Sequence, residues 1–324
     1  MIFVAGGAGY IGSHCVRMLG ERKYDVIIYD NLSRGHRDLV SHGIFIQGDL
    51  SDTDLMVRIF KEYDVDSVLH FAANSLVGES EENPHRYYLN NVANAIRLLD
   101  AMLRAGVGKI VFSSSAAVYG EPQSIPIEED HPTRPENVYG HTKQIFEDIM
   151  KKYSRVYGLR FVSLRYFNAA GAAPDGSIGE DHTPETHLIP LVLDAALGRS
   201  KEITVFGTDY DTPDGTCIRD YIHVLDLAEA HLLALKRLEN DSVSEIYNLG
   251  NGRGFSVREV VDTARKVTGK NIALRQGKRR PGDPARLVAS SKKISGEMGW
   301  SARYPELEDI IGTAWNWHKK RFGK

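Results

Sequence analysis

Short apolar runs rich in β-branched residues alternate with longer amphipathic stretches along the first half of the chain. MIFVA (1–5) precedes a helical pattern over 11–21, and DVIIYD (25–30) follows it. IFIQGD (44–49) leads into 52–63, SVLHFAA (67–73) into 87–105, and KIVFSSS (109–115) into 139–157; FVSLRYFN (161–168) closes the series. Strands that are apolar at nearly every position are covered on both faces, and their alternation with helices predicts a doubly wound parallel α/β sheet over residues 1–168.

After Asn168 the rhythm breaks. NAAGAAPDGSIGEDHTPETH (168–187) is rich in Gly, Pro, Asp and Thr, without periodicity, and reads as a long ordered or ligand-covering loop, outside the sheet. Shorter mixed elements follow: a helix over 189–198, a strand over 203–206, a helix over 224–238 and a strand in EIYNLG (245–250). Ser256 and Glu259 have the spacing of a capping box and open the next helix. A last helix over 306–320 carries Trp315 and Trp317. The pattern predicts a smaller mixed α/β lobe over 169–324, with a return to the first domain near 210–236.

At 324 residues, with 42% hydrophobic and 26% charged positions, the chain is large enough for two lobes and too apolar for disorder. A net charge of -3 offers no general attraction for nucleic acid or an acidic membrane, and the basic stretch GKRRPGDPAR (277–286) suits a small anion instead. Two cysteines, Cys15 and Cys217, far apart and in no metal-ligand spacing, are expected to be free buried thiols in a reducing compartment. The apolar start is too short for a signal or spanning segment, so the expected location is the cytoplasm.

The chemistry gathers at three places. VAGGAGYIG carries Gly6, Gly7, Gly9 and Gly12 between strand and helix, where glycines let a pyrophosphate approach the helix N-terminus. Asp30 ends the second strand, where a carboxylate accepts hydrogen bonds from both ribose hydroxyls of a dinucleotide and repels a 2'-phosphate; NAD is therefore preferred to NADP, with Arg34 close by. Tyr139 and Lys143 share a helix face at i, i+4. A tyrosine serving as base at neutral pH needs a shift of about three units, roughly 4 kcal/mol of preference for the phenolate, and nearby positive charge can supply it.

GGAGYIG, SSSAAVYG (113–120) and Tyr139-x-x-x-Lys143 together resemble the extended short-chain dehydrogenase/reductases. FSSSAAVYG, LRYFNAAGA, DGTCIRDYIHVLDLAEAH and YNLGNG extend the resemblance, along nearly the whole chain, to the UDP-sugar 4-epimerases within that family. The resemblance implies a Rossmann-type fold and tightly held NAD as transient hydride acceptor. It also implies interconversion of UDP-galactose and UDP-glucose through a 4-keto sugar, and a homodimer formed through 87–105 and 139–157. The implied catalytic set is Ser115, Tyr139 and Lys143. Gly6, Gly9, Tyr10, Ile11, Gly12, Asp30, Asn31, Asp49, Leu50, Phe71, Ala72, Ala73, Asn91, Ser113 and Tyr166 would join Tyr139 and Lys143 around NAD. Asn168, Thr186, His187, Leu188, Phe206, Arg219, Arg280 and Asp283 would join Ser115 and Tyr139 around the UDP-sugar.

The chain departs from that pattern in places. Ser75 stands where many members have a lysine near the nicotinamide, Thr186-His187-Leu188 replaces an Asn-Asn-Leu run, and Leu287 occupies a gate position that bears on N-acetylated UDP-sugars. Ala116 and Ala117 replace the Asp-Glu pair that a 4,6-dehydratase uses for elimination. The intact Ser115, Tyr139 and Lys143 set argues against a non-enzymatic NAD sensor. Glu180, Asp181, His182, Glu185 and His187 contain metal-ligating types, yet two histidines five apart around Pro184 match no common zinc motif, and no metal is expected. His70 and His223 are expected to be satisfied core histidines, His14 and Cys15 to pack on the sheet, Trp315 and Trp317 to pack the last helix, and KKRFGK (319–324) to be a solvated end.

Overall fold

The computed structural model describes residues 1–240, 244–280 and 282–323; Pro281 of the basic stretch and Lys324 of the terminal run lie outside the described residues. In chain order the elements are β1 (Ile2–Ala5), α1 (Tyr10–Glu21), β2 (Val26–Asp30), β3 (Ile44–Gln47), α2 (Thr53–Glu62), β4 (Ser67–His70), α3 (Val77–Glu82), α4 (Pro84–Tyr88), α5 (Asn94–Ala105), β5 (Lys109–Ser115), α6 (Val138–Tyr157), β6 (Arg160–Tyr166), β7 (Asn168–Ala170), α7 (Leu188–Ala196), β8 (Ile203–Phe206), β9 (Ile218–His223), α8 (Val224–Asn240), β10 (Glu245–Leu249), β11 (Gly254–Ser256), α9 (Val257–Thr268), β12 (Leu274–Gly277), β13 (Arg286–Leu287), α10 (Lys292–Met298) and α11 (Leu307–Phe322).

Seven parallel strands form the large sheet in the order β10-β6-β5-β4-β1-β2-β3. Successive side chains of each strand serve opposite faces, as the near-continuous apolar runs require. Phe3, Tyr29, Val68, Ile110 and Phe112 face α2, α5 and α6, packing on Met56, Phe60, Leu98, Phe146 and Met150. Val4, Ile28, Leu69, Val111 and Leu164 face α1 and α8, packing on Val16, Leu19, Leu227 and Leu235. Strand order reverses between β1 and β4, so the crevice for a dinucleotide opens at the carboxyl ends of these two strands.

The second lobe surrounds β9, which pairs with β11, β13 and β7, while β8 pairs with β12. Helices α7, α9 and α11 close over it, with Val192, Val261, Ile310 and Trp315 at the centre. Trp317 belongs instead to a small cluster with Leu39, Ala172, Ala173 and Ile178, as two residues at i, i+2 on a helix must diverge.

Four features differ from the sequence reading. The chain returns to the first domain as α8, which packs against α1, β5 and β6, and, beyond the expected 210–236, it also adds β10, at 245–249, to the large sheet. The helix expected over 87–105 is broken into α4, a π-helical turn at Leu89–Ala93 and α5. The start of the 168–187 stretch is a strand, β7, and α3 was not expected at all. Both cysteines are free and buried. Among the described residues, no helix is long and apolar enough to cross a membrane.

Candidate active site

The loop between β1 and α1 needs its glycines. Gly6 has φ +80°, and a Cβ on it would stand 2.5 Å from the Ala72 nitrogen; a Cβ on Gly12 would stand 2.2 Å from the Gly6 carbonyl oxygen. Gly9 is the N-cap of α1 and supplies no side-chain cap, so the first N–H groups of the helix remain for an anion. Tyr10 donates its hydroxyl to the Gly171 carbonyl at 2.6 Å, which ties this helix to the second lobe and leaves the backbone of Tyr10 and Ile11 as the part that faces the loop.

Asp30 is held at the end of β2 by the N–H groups of Ala8 (3.0 Å) and Leu32 (2.8 Å), and burial raises its pKa. Beside it, Asn31 donates to Asp49 at 2.6 Å and Tyr29 donates to the Asp49 carbonyl at 2.8 Å, with Leu50 buried next in sequence. Arg34 is committed elsewhere, to the Thr183 carbonyl and to Glu79. Across the crevice, Phe71 and Ala72 hang their N–H groups on the Ala5 carbonyl at 2.8 and 3.0 Å, carrying Ala73 along the same edge.

The three serines at the end of β5 have three different tasks, because alternate strand residues face opposite ways. Ser113 meets His231 of α8 at 2.9 Å. Ser114 donates to Glu147 of α6 at 2.7 Å. Ser115 accepts the Ala117 N–H at 3.2 Å and acts on the Tyr139 phenol, whose pKa it lowers against burial. Helix α6 is fixed in turn by its Asn137 cap on Gly140 (2.8 Å) and by Ser80 of α3, which accepts the Tyr139 N–H at 3.1 Å. Lys143 donates to the Ser113 carbonyl at 2.7 Å and lies over the Phe112 ring at 4.7 Å and the Tyr139 ring at 5.7 Å. Tyr166 lies opposite Ser115 in the β5–β6 register.

On the second lobe Arg219 is paired with Asp283, and the Arg280 guanidinium stacks 4.1 Å above the Phe206 ring. Leu287 sits beside Arg219 in the β13–β9 pairing and packs against the cluster of Ala116, Tyr119 and Phe167. Asn168 opens β7, while Thr186, His187 and Leu188 lead into α7.

A family model described as "NAD dependent epimerase/dehydratase family" matches residues 2–250. The chain belongs to this NAD-dependent epimerase/dehydratase family. It is 54% identical to the UDP-glucose 4-epimerase of Halalkalibacterium halodurans over 319 residues, 98% of this chain and 96% of that protein. A crystal structure of a UDP-glucose 4-epimerase superposes with a TM-score of 0.97 at 52% identity, covering 99% of this chain and 98% of the other. The UDP-glucose 4-epimerase of Brucella ovis, crystallised with NAD, superposes with a TM-score of 0.96 at 46% identity, covering 99% and 98%.

The family's cofactor fits the residues present: a glycine cradle that any Cβ would fill, an uncapped helix N-terminus and an acid at the end of β2. One residue expected beside it also holds the backbone. Asn91 donates to the Asn74 carbonyl (2.9 Å) and Thr142 (3.2 Å), and accepts from the Asn74 N–H (2.8 Å) and Asn90 (3.0 Å). Its amide is saturated, and it clamps the loop after β4 to α6 from the π-helical turn.

The electrostatics of this epimerase/dehydratase site also differ from the expectation. Burial pushes Tyr139 up to about 12, with the Ser115 hydrogen bond pulling the other way. Burial pulls Lys143 down to about 7, with the charge of Glu147 opposing. A lysine that is itself half neutral at pH 7 is a weak source of the positive charge that a phenolate needs. The positive nicotinamide ring that the family uses would supply the remainder.

Behind these residues lies a group the sequence reading missed. Glu147, one turn after Lys143, accepts from Ser114 (2.7 Å), Ser163 (2.9 Å) and Arg165 (3.0 Å), and Arg165 donates to Tyr119 at 2.9 Å. The signal was present, since Tyr139, Lys143 and Glu147 are spaced i, i+4, i+8 on one face. Asp220 of the DGTCIRDYIHV segment is likewise structural: it accepts the N–H groups of Asn251, Gly252 and Ala289, and burial pushes it up to about 7.

Among the histidines, His223 is satisfied by Thr313 (3.0 Å) and the Leu225 N–H (3.1 Å). His70 is a core histidine but not a satisfied one: its Nδ1 has no hydrogen-bond partner among the described residues, and burial lowers its pKa to about 3. In the 180–187 loop the five-residue spacing does not keep His182 and His187 apart, for Glu180, His182, Glu185 and His187 converge; Asp181 turns away to Arg321 at 2.8 Å.

Proposed function

We propose that the chain is a UDP-glucose 4-epimerase, interconverting UDP-galactose and UDP-glucose with tightly bound NAD. The observation that carries the reading is 54% identity over nearly the full length to an enzyme of that name, in a chain that ends β5 on Ser115 beside two alanines and buries Tyr139 and Lys143 one turn apart on α6. Ser115 orients the sugar 4-hydroxyl and Tyr139 takes its proton. Bound NAD supplies reversible acceptance of the C4 hydride. Lys143 anchors the nicotinamide ribose, and its link to the Ser113 carbonyl holds its ammonium below Tyr139. Ala116 and Ala117 offer no acid or base for elimination of water, so the 4-keto sugar has only the return of hydride open to it.

Residues 1–168 with α8 and β10 hold NAD, and the remainder holds the UDP-sugar. Arg219 and Arg280 face the diphosphate, for which planar guanidinium groups are suited. Leu287, packed beside Ala116, shapes the sugar pocket. A second copy of the chain covers the outer faces of α5, the π-helical turn before it and α6, where Leu89, Ile96, Leu103, Val156 and Tyr157 are exposed large apolar residues. Sedimentation of an Ile96→Glu variant tests this: a dimer that persists unchanged contradicts it. The two unpaired buried cysteines suit a cytoplasmic setting.

The test of the activity is NMR of UDP-galactose mixed with protein purified without added NAD, with UDP-N-acetylgalactosamine as a second arm. The reading expects UDP-glucose to form in the first; conversion of neither sugar contradicts it.

A further inference from the structure

The eight residues 180–187, Glu-Asp-His-Thr-Pro-Glu-Thr-His, fold so that four side chains meet beside the Tyr10 ring at the start of α1. One donor atom from each of Glu180, His182, Glu185 and His187 lies within 4.8 Å of all the others. His187 Nδ1 is 2.7 Å from Glu180 and 3.1 Å from Glu185, while His182 Nδ1 is 3.1 Å from Glu180 and 3.7 Å from Glu185. Donors that share one small ion at about 2.0–2.2 Å in a tetrahedron stand about 3.4 Å apart, which is the middle of this range.

Three observations separate the group from an ordinary ion-pair cluster. The guanidinium groups that reach the loop are spent on other atoms, Arg34 on the Thr183 carbonyl and Arg321 on Asp181, so the two carboxylates face the two imidazoles. His182 Nδ1 is enclosed from solvent and lies off the line that a hydrogen bond to Glu180 requires. A buried nitrogen in that position is costly unless its lone pair is used. The loop backbone is also held from outside: Trp317 donates to the Glu180 carbonyl at 2.8 Å, His36 meets the Asp181 carbonyl at 3.0 Å, and the Tyr10 ring stands edge-on to His182. Fixed supports of this kind orient metal ligands.

We propose that Glu180, His182, Glu185 and His187 bind one zinc-class divalent ion. Two carboxylates neutralise a dication, two imidazoles select the zinc class over magnesium or calcium, and four protein donors make a closed set. The ion's role is structural: it pins the loop that ends at the start of α7. The inference goes beyond the sugar chemistry and stands whichever sugar is turned over.

The NAD-loaded protein is stripped with a chelator and titrated calorimetrically with Zn²⁺, and separately with Co²⁺ while visible absorption is recorded. One ion per chain and the strong bands of four-coordinate cobalt are expected. His182→Ala and Glu185→Gln, each with unchanged circular dichroism, should weaken zinc by more than the roughly 10–100-fold that losing an outer-shell partner costs. Wild-type protein that takes up no more zinc than these variants, or that binds cobalt only as the pale six-coordinate ion, overturns the proposal. If either variant loses its fold, the wild-type cobalt spectrum decides alone.

Discussion

Around Lys143, a single basic group is enclosed by the Phe112 and Tyr139 rings and a backbone carbonyl; around His182 and His187, two basic groups are enclosed by two carboxylates. Burial works against the charged form in both places. At Lys143 burial wins and the pKa falls to about 7, because Glu147 is itself neutralised by Arg165. In the loop the carboxylates of Glu180 and Glu185 outweigh burial, and His182 and His187 rise to about 9 and about 10. The difference is compensation: a buried base keeps its proton where its counter-charge is unspent, and releases it where that charge is already paired. The first arrangement leaves a proton free to move beside Tyr139; the second, without an ion, holds two protons that a bound dication would displace.

Three substitutions sharpen that contrast. The largest effect is expected from Tyr139→Phe, which removes the hydroxyl assigned to take the proton from the sugar. Turnover of UDP-galactose should fall ~10²–10⁴-fold, the usual share of general acid–base catalysis, and turnover near the wild-type rate would place the base elsewhere. Glu147→Gln breaks the buried pair with Arg165 and should cost ~3–5 kcal/mol of stability in a urea titration. A loss below about 1 kcal/mol would mean that the pair is not the clamp between β5, β6 and α6.

Smaller still is the pH effect of Lys143. Its folded pKa of about 7 lies below the ordinary lysine value of 10.5, so between those values the unfolded chain binds more protons. The cost of burying Lys143 is therefore full at acid pH and is relieved as pH rises through that window. The urea midpoint of wild-type protein should gain on that of Lys143→Met across this range, and parallel curves would show that Lys143 is charged in the folded state.

The large sheet was legible because buried parallel strands carry the run of apolar residues that marks them, as in KIVF and VIIY. β10 was harder: EIYNLG reads as a strand, but nothing in it says which sheet it joins, and only tertiary pairing with β6 draws it across the chain. The π-helical turn at Leu89–Ala93 has helical periodicity on either side, and its cause, the clamp from Asn91 to Asn74, lies 17 residues away. Tyr139 and Lys143 were singled out because their spacing encodes a helix face, and Ser115 because the strand end that carries it resembles the family's. The residues of the 180–187 cluster were noticed and set aside, since in a loop no periodicity says which side chains meet. Its geometry is set by Trp317 and His36, which come from distant segments.

The central claim is that hydride leaves C4 and returns to it within one turnover while Tyr139 moves only the hydroxyl proton. UDP-galactose labelled with deuterium at C4, converted in ordinary water and examined by NMR, tests it directly. UDP-glucose that retains the deuterium at C4 is the predicted result; loss of the label to solvent would contradict the account.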